Sequence, residues 1–427
     1  MMLQEGNDLP RVKLQTKRSS ELEDNRIGGL WSGLWEFDLR EIIGTEVFGL
    51  GLKRVRLAVN NLDWDRAYWN KPEFSIEPSH DDLITRIAEN GVTITYVLSF
   101  WDKASRAGGE EVTYPRFKTE DQIQRYLDFV RFIVGHLKGR VQYFEIWNEP
   151  NVGDSVQWIE VNDYISLVRR AVPVIREEYP EAKIVVGGTT NLREPESQEY
   201  LFTILRSDIM PLVDVVSWHP MYGSSPAHDY YRQYYYEYPS LVQQIKDVAA
   251  ASGFEGEYIA DELNWWTPEF PIPDQPWTHS EVQSAKYYAR AMVMHLGMDV
   301  TVGLAGVSSL RSVFFPTARN LCTVMAGAQP VSLPIDIESE ATNIGRHGFS
   351  LSNGDRLVAL WTDGVAVDND PGIEATVAFP GSSAQGVVAI DVLYGFEQQM
   401  VTGIEDGSLV IRNLFVKDYP IILRPSE

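Results

Sequence analysis

The chain contains one cysteine, Cys322, so no internal disulfide can staple it and its stability must come from a packed core. Long apolar runs are missing too. None approaches the about 18 residues of a membrane-spanning helix, so no membrane partner is expected. The opening MMLQEGNDLPRVKLQTKRSS has no apolar centre of leader-peptide length, and no Asn-x-Ser/Thr acceptor occurs anywhere. A soluble protein is expected, cytoplasmic as given, or secreted if a leader has been removed. Positive charge is scarce: 37 Lys and Arg stand against 60 Asp and Glu, a net charge of −23. Such a field repels nucleic acid and disfavours polyanionic substrates, leaving a neutral ligand as the better fit. The seven histidines never fall in a His-x-His or His-Glu-x-x-His spacing, so no metal centre is expected. A glycine-rich phosphate loop is absent, as is the strand–turn–helix elbow of a serine nucleophile, and no cofactor is expected.

What is present is a globular composition, 44% hydrophobic and 23% charged over 427 residues. That length accommodates a barrel of about 250 residues or more with one small domain beside it. From Ile27 onward, short β-branched runs alternate with amphipathic helices. The least clearly marked strand is Leu30–Phe37. Arg54–Val59, Val92–Leu98, Val141–Trp147, Lys183–Gly187, Val213–Trp218, Glu257–Glu262 and Val300–Val307 are the others. Helices are predicted at Ser79–Asn90, behind a Ser79-x-x-Asp82 capping box, and around Ile123–Leu137, behind Thr119-x-x-Gln122. Others cover Val161–Glu178, Ser197–Ile209, Leu241–Ala251, Ser280–Leu296 and Thr317–Ala326, with the tyrosines between 230 and 238 left in a loop after strand six. Eight strand–helix units argue for a closed α/β barrel, (β/α)₈, with right-handed crossovers. After about Val331 the helical period disappears, and short strands separated by Asn353-Gly354 and Asp406-Gly407 predict a C-terminal antiparallel β-sandwich. The expected division is a polar extension at 1–26, a barrel at 27–330 and a sandwich at 331–427, with Arg11–Thr16 able to add a strand to the last.

The most informative stretch ends strand four: Val141-Gln-Tyr-Phe-Glu-Ile-Trp-Asn-Glu-Pro-Asn151. Pro150 stops the ladder, and just before it stands Glu149, at the barrel end where catalytic groups gather. A second carboxylate closes strand seven in Glu257-Tyr-Ile-Ala-Asp-Glu262. Two carboxyls on facing strands suit glycoside hydrolysis, one as acid and one as nucleophile. Asp261 rivals Glu262, but strand alternation should send the two to opposite faces. Glu145, four residues before Glu149, should lie about 13 Å deeper and serve as a buried partner for an arginine such as Arg56.

The string Tyr143–Asn151 resembles the acid/base strand of the retaining glycoside hydrolases of clan A, closest to family 39 with its β-xylosidases and α-L-iduronidases. The resemblance implies Glu149 as acid/base and Glu262 as nucleophile, with Asn148 reaching the sugar 2-hydroxyl. It also implies that Arg56 keeps the nucleophile ionised, that His219 positions the sugar or the acid/base, and that Tyr222 hydrogen-bonds the nucleophile. Glu149 should then titrate high and Glu262 remain charged. Asn264 and the aromatics Trp101, Trp265 and Trp266 are the remaining candidates for substrate contact, since sugar faces stack on rings; Trp277 belongs to the same loops. One departure stands out: the clan often places a Trp after strand eight, where this chain reads Val307-Ser-Ser-Leu-Arg-Ser-Val-Phe-Phe315. Phe314 or Trp265 would have to replace it. The implied partner is a neutral oligo- or polysaccharide. Sugar, linkage, exo or endo action and oligomeric state stay open. The competing readings are a non-catalytic sugar-binding barrel and a metal-dependent barrel lyase.

Overall fold

The computed structural model describes residues 2–31, 47–57, 74, 76, 78–99, 117–153, 157–268, 278–305 and 313–426. Eight parallel strands form the central barrel: β1 Ile27–Trp31, β2 Arg54–Leu57, β3 Thr93–Val97, β4 Tyr143–Glu145, β5 Lys183–Thr190, β6 Val215–His219, β7 Glu257–Asn264 and β8 Thr301–Leu304. Each pairs with the next, and β8 pairs with both β7 and β1, which closes the ring. A two-residue strand, Met221–Tyr222, runs beside the end of β7. Helices α1 Pro78–Glu89, α2 Glu120–Leu137, α3 Val161–Glu178, α4 Pro195–Leu205, α5 Asp229–Ala251, α6 Glu281–Gly297 and α7 Phe314–Val324 are the described helices of the barrel segment.

The helices form where their apolar spacing and caps direct. Thr119 and Gln122 make the reciprocal capping box of α2, whose Leu127, Val130, Val134 and Leu137 are buried on one face. Ser280 and Gln283 do the same for α6. The box predicted at Ser79 is not used, because α1 already starts at Pro78, where a missing N–H costs nothing. The tyrosine stretch is also helical rather than a loop. Tyr231, Tyr234, Tyr235 and Tyr238 recur at helical spacing and are buried along α5, which carries Pro239 in its interior.

The antiparallel part has two sheets. Strands β9 Gln329–Pro330, β10 Asp336–Ser339, β11 Ile344–Ser350, β12 Arg356–Thr362, β13 Ile373–Pro380, β14 Gly386–Asp391, β15 Phe396–Gln399, β16 Thr402–Glu405, β17 Ser408–Val416 and β18 Ile421–Ser426 follow in sequence. One sheet runs β15-β14-β18-β12-β11-β9, with Arg11–Lys13 added antiparallel at the β15 edge. The other runs β10-β13-β17-β16. Asp406 and Gly407 both take left-handed backbone between Glu405 and Ser408, which is the two-residue hairpin their sequence predicts. The sandwich is bound to the barrel through α6, whose buried Lys286 pairs with Asp418 at 2.6 Å. Arg290, also buried, donates to the Asp418 and Gly364 carbonyls.

Candidate active site

Two local distortions shape the barrel mouth. At the end of β4 the chain leaves extended geometry, and Trp147 and Glu149 both adopt positive φ, 72° and 46°. Non-glycine residues rarely take that conformation and hold it only when the surroundings compensate. Here the Glu149 amide donates to the Gly188 carbonyl at 3.0 Å. The Trp147 indole donates to the Gln157 carbonyl at 2.6 Å. Asn151 exchanges hydrogen bonds with the Thr190 backbone, which ties this turn to the end of β5. The assumption of a straight strand from Glu145 to Glu149 therefore fails, because β4 stops at Glu145 and the chain folds back.

The second distortion is in β7. Val302 opposes Ala260 and Leu304 opposes Leu263, so Asp261 and Glu262 together face the single residue Gly303. This is a β-bulge, and it overturns the expectation that alternation separates the two carboxylates. Both turn inward, Asp261 to the Arg56 Nε at 3.2 Å and Glu262 to the Arg56 Nη1 at 3.4 Å. Gly303 is required opposite the bulge, since a Cβ there would stand 2.4 Å from the Asp261 carbonyl.

Among the described residues, Arg56 and His219 are the cations of the site, and each bridges several acids. Arg56 Nε donates to Glu145 at 2.6 Å and Arg56 Nη2 to the Asn148 Oδ1 at 2.8 Å. Glu145 is fully buried and also accepts from the Ser217 hydroxyl at 2.8 Å, so it is the arginine partner predicted. One of its oxygens, however, lies within 4.8 Å of a His219 nitrogen, which puts it in the same cluster as Glu149 and not about 13 Å beneath it. His219, also fully buried, lies with Nδ1 2.9 Å from Glu149 Oε1 and 3.7 Å from Glu262 Oε2. Its Nε2 is 3.3 Å from Asp261 Oδ1. Tyr222 donates to Glu149 Oε1 at 3.4 Å and lies within hydrogen-bond reach of Glu262 as well. One carboxylate oxygen each of Glu149 and Glu262 lie, with a His219 nitrogen, within 4.8 Å of one another.

The charge balance reverses the expected order. Burial pushes the Glu149 carboxyl up, but the His219 hydrogen bond and charge outweigh it and hold Glu149 below the usual range. Burial and the Glu149 charge together raise Glu262 despite His219 and Arg56. The guanidinium is shared, with Glu145 nearest, so it does not serve Glu262 alone. His219 itself is hindered from protonating by burial, yet Glu262, Asp261 and Glu149 lift it to about 10. The site thus holds an imidazolium among carboxylates.

Among the described residues, two acid–histidine triples have ligand atoms close enough for a metal ion: Glu145, His219 and Asp261, and Glu149, His219 and Glu262. Both use His219, whose two nitrogens already face carboxylates, and both include an acid paired to Arg56. An added cation would have to displace these internal ones, so the donor set fits a metal poorly.

The remaining candidates separate. Trp266 stacks on Tyr222, with ring centroids 6.0 Å apart, and borders the site. Trp265 is 1% exposed, packed between Tyr287 and Tyr288 and hydrogen-bonded to the Ser224 carbonyl, so it is a wall and not a sugar platform. Phe314, the other proposed substitute, is buried against Tyr288. Asn264 accepts from the Tyr288 hydroxyl at 2.8 Å and stays half-buried. Trp101, Trp277 and most of the segment after strand eight lie outside the described residues. Gln157 was not anticipated: its Nε2 donates to Glu149 Oε2 at 3.3 Å and its Oε1 accepts from Asn148. It follows Glu149 by eight residues, outside any strand or helix, and its spacing carries no signal.

No family model matches the sequence, and no curated protein is similar to it in sequence. Solved structures are similar in fold. A family 39 glycoside hydrolase from the gut symbiont Bacteroides cellulosilyticus has a TM-score of 0.70 at 15% identity, covering 97% of this chain and 83% of that one. A monomeric β-xylosidase from Caulobacter crescentus gives 0.60 at 13% identity, covering 97% and 98%. A family 51 α-L-arabinofuranosidase from Bifidobacterium longum gives 0.59 at 14% identity, covering 97% and 98%. These likenesses extend over barrel and sandwich together: the chain has the (β/α)₈ barrel and β-sandwich architecture found in glycoside hydrolases of clan A.

Proposed function

We propose that this chain is a retaining glycoside hydrolase acting on a neutral oligo- or polysaccharide by double displacement. The observation that carries the reading is the pair Glu149 and Glu262, with oxygens within 4.8 Å across the barrel mouth. That separation suits direct attack on the sugar, whereas an inverting pair stands about 6.5–9.5 Å apart to admit a water. The fold shared with glycoside hydrolases supports it. In this reading the barrel comprises residues 27–330 and the sandwich 331–427, except that Gln329–Pro330 already pairs into the sandwich, to which residues 1–26 add one strand.

In the first half-reaction the Glu262 carboxylate attacks the anomeric carbon, the bond to the leaving oxygen breaks, and Glu149 gives that oxygen its proton. In the second, water gives a proton to Glu149, attacks the anomeric carbon and expels Glu262. Asn148 binds the sugar 2-hydroxyl, Arg56 orients Asn148 and Glu262, and Trp266 with Asn264 borders the sugar. His219 and Tyr222 fix Glu149 Oε1. The hydrogen bonds to Glu149 favour its charged form, the one the second half-reaction uses. Productive binding of substrate therefore requires that Glu149 hold a proton, taken from solvent or from Glu262, as the sugar fills the mouth.

A panel of aryl β-xyloside, glucoside, galactoside, arabinoside, fucoside and mannoside tests the reading. At least one should be hydrolysed, with kcat falling about a thousandfold or more in Glu262→Ala. Activity should also survive a strong chelator. Hydrolysis unaffected by Glu262→Ala, or lost to the chelator and restored by one divalent ion, would overturn it.

A further inference from the structure

Glu149 Oε1 receives His219 and Tyr222, with Thr190 a further donor to the carboxylate, so its second oxygen, Oε2, is the better placed to exchange a proton with a substrate. The Gln157 carboxamide lies directly against that oxygen. Its placement is enforced from three directions. The backbone carbonyl is held by the Trp147 indole, Oε1 by Asn148 Nδ2, and Nε2 by Glu149 itself. Asn148 is in turn held by Arg56. Gln157 thus connects the group proposed to read the sugar 2-hydroxyl with the group proposed to protonate the leaving oxygen.

We propose that Gln157 is a positioning residue for Glu149, clamping Oε2 in the empty and glycosylated enzyme and yielding to the leaving-group oxygen when substrate binds. The inference rests on the hydrolase reading for its consequences in turnover. The chemistry follows from the direction of the hydrogen bond. An amide N–H donates to a carboxylate oxygen and cannot donate along the same line to an oxygen that carries a proton. Gln157 therefore favours ionised Glu149, the form that accepts a proton from water in the second half-reaction, and disfavours the acid form used in the first. On the first step the glycosidic oxygen must take the place of Nε2 at Oε2, which puts Gln157 on the leaving-group side of the cleavage point.

Two variants separate this role from simple packing. Gln157→Met removes the donor and keeps the side-chain length. Gln157→Glu keeps an acceptor for Asn148 and replaces only the donor. With glutamate carboxyl carbons labelled with ¹³C, and the Glu149 signal identified by its loss in Glu149→Gln, both variants should titrate Glu149 at higher pH than wild type, by about one unit in Gln157→Met. This measurement needs no turnover, so an unshifted titration in both variants overturns the clamp whether or not the protein hydrolyses glycosides. A shifted titration in a protein without glycosidase activity would instead overturn the hydrolase reading alone. With a dinitrophenyl glycoside, whose second step limits turnover, kcat of Gln157→Met should fall about tenfold while kcat/KM at its own pH optimum stays within about twofold. Equal losses in both parameters with the alkaline limb unmoved would mark Gln157 as mere scaffolding.

Discussion

Arg54 and Arg56 stand two residues apart on β2, both directed into the barrel and both caged by acids, yet their surroundings differ. Arg54 pairs with Asp24 at 2.8 Å and Glu257 at 3.6 Å, partners whose side chains are 44% and 40% exposed. Arg56 pairs with Glu145, Asp261 and Glu262, which are 0%, 5% and 17% exposed. At the first pole water shares the work of solvation, and the pairing is ordinary stabilisation of a barrel end. At the second, among the described residues, four largely buried acids (Glu145, Glu149, Asp261 and Glu262) confront two cations, Arg56 and His219. A buried excess of negative charge is a poor way to hold a fold together and a good way to displace ionisation from its usual range. One strand thus carries a structural pole and a reactive pole, and only the second tolerates such strain.

The comparison breaks most visibly under substitution. Arg56→Met should leave Glu145 buried without its cation and Asp261 with His219 alone, and cost about 3–5 kcal/mol in chemical denaturation at neutral pH. Arg54→Met should cost about 1 kcal/mol or less, and Asp24→Asn less again, because water replaces the lost partner. Equal costs for the two arginines would remove the distinction between the poles. A smaller effect sharpens it through pH. His219 is raised from 6.5 to about 10 in the folded chain, so its contribution to stability is complete below pH 6.5 and fades as pH climbs toward 10. The stability difference between wild type and His219→Gln should shrink through that window when measured by denaturation at successive pH values. A difference that stays constant would mean His219 does not carry its charge between the acids.

The reactive pole was also the more legible in sequence. Pro150 marks where β4 must end, and a carboxylate just before such a stop is exposed to the barrel mouth by chain geometry alone. The strand–helix alternation and the paired turns at Asn353-Gly354 and Asp406-Gly407 were equally readable, because each depends on residues near one another in the chain. What stayed hidden depends on partners distant in sequence. The bulge that turns Asp261 and Glu262 to the same side is permitted by Gly303 on the neighbouring strand. The depression of Glu149 comes from His219, two strands away. Gln157 reaches Glu149 from a loop without periodicity. The helix predicted at Leu241–Ala251 extends back to Asp229, because the buried face of Tyr231, Tyr234, Tyr235 and Tyr238 carries it through Pro239.

The central claim is that Glu262 attacks the sugar directly while Glu149 handles the proton. Following the anomeric configuration of the first-formed product by proton NMR, within minutes of adding enzyme to an accepted aryl glycoside, tests it most directly. Two displacements at the anomeric carbon restore the starting geometry, so the product should first appear with the configuration of the substrate and only later equilibrate. Initial release of the opposite anomer would contradict the account, because it would require water rather than Glu262 to make the attack.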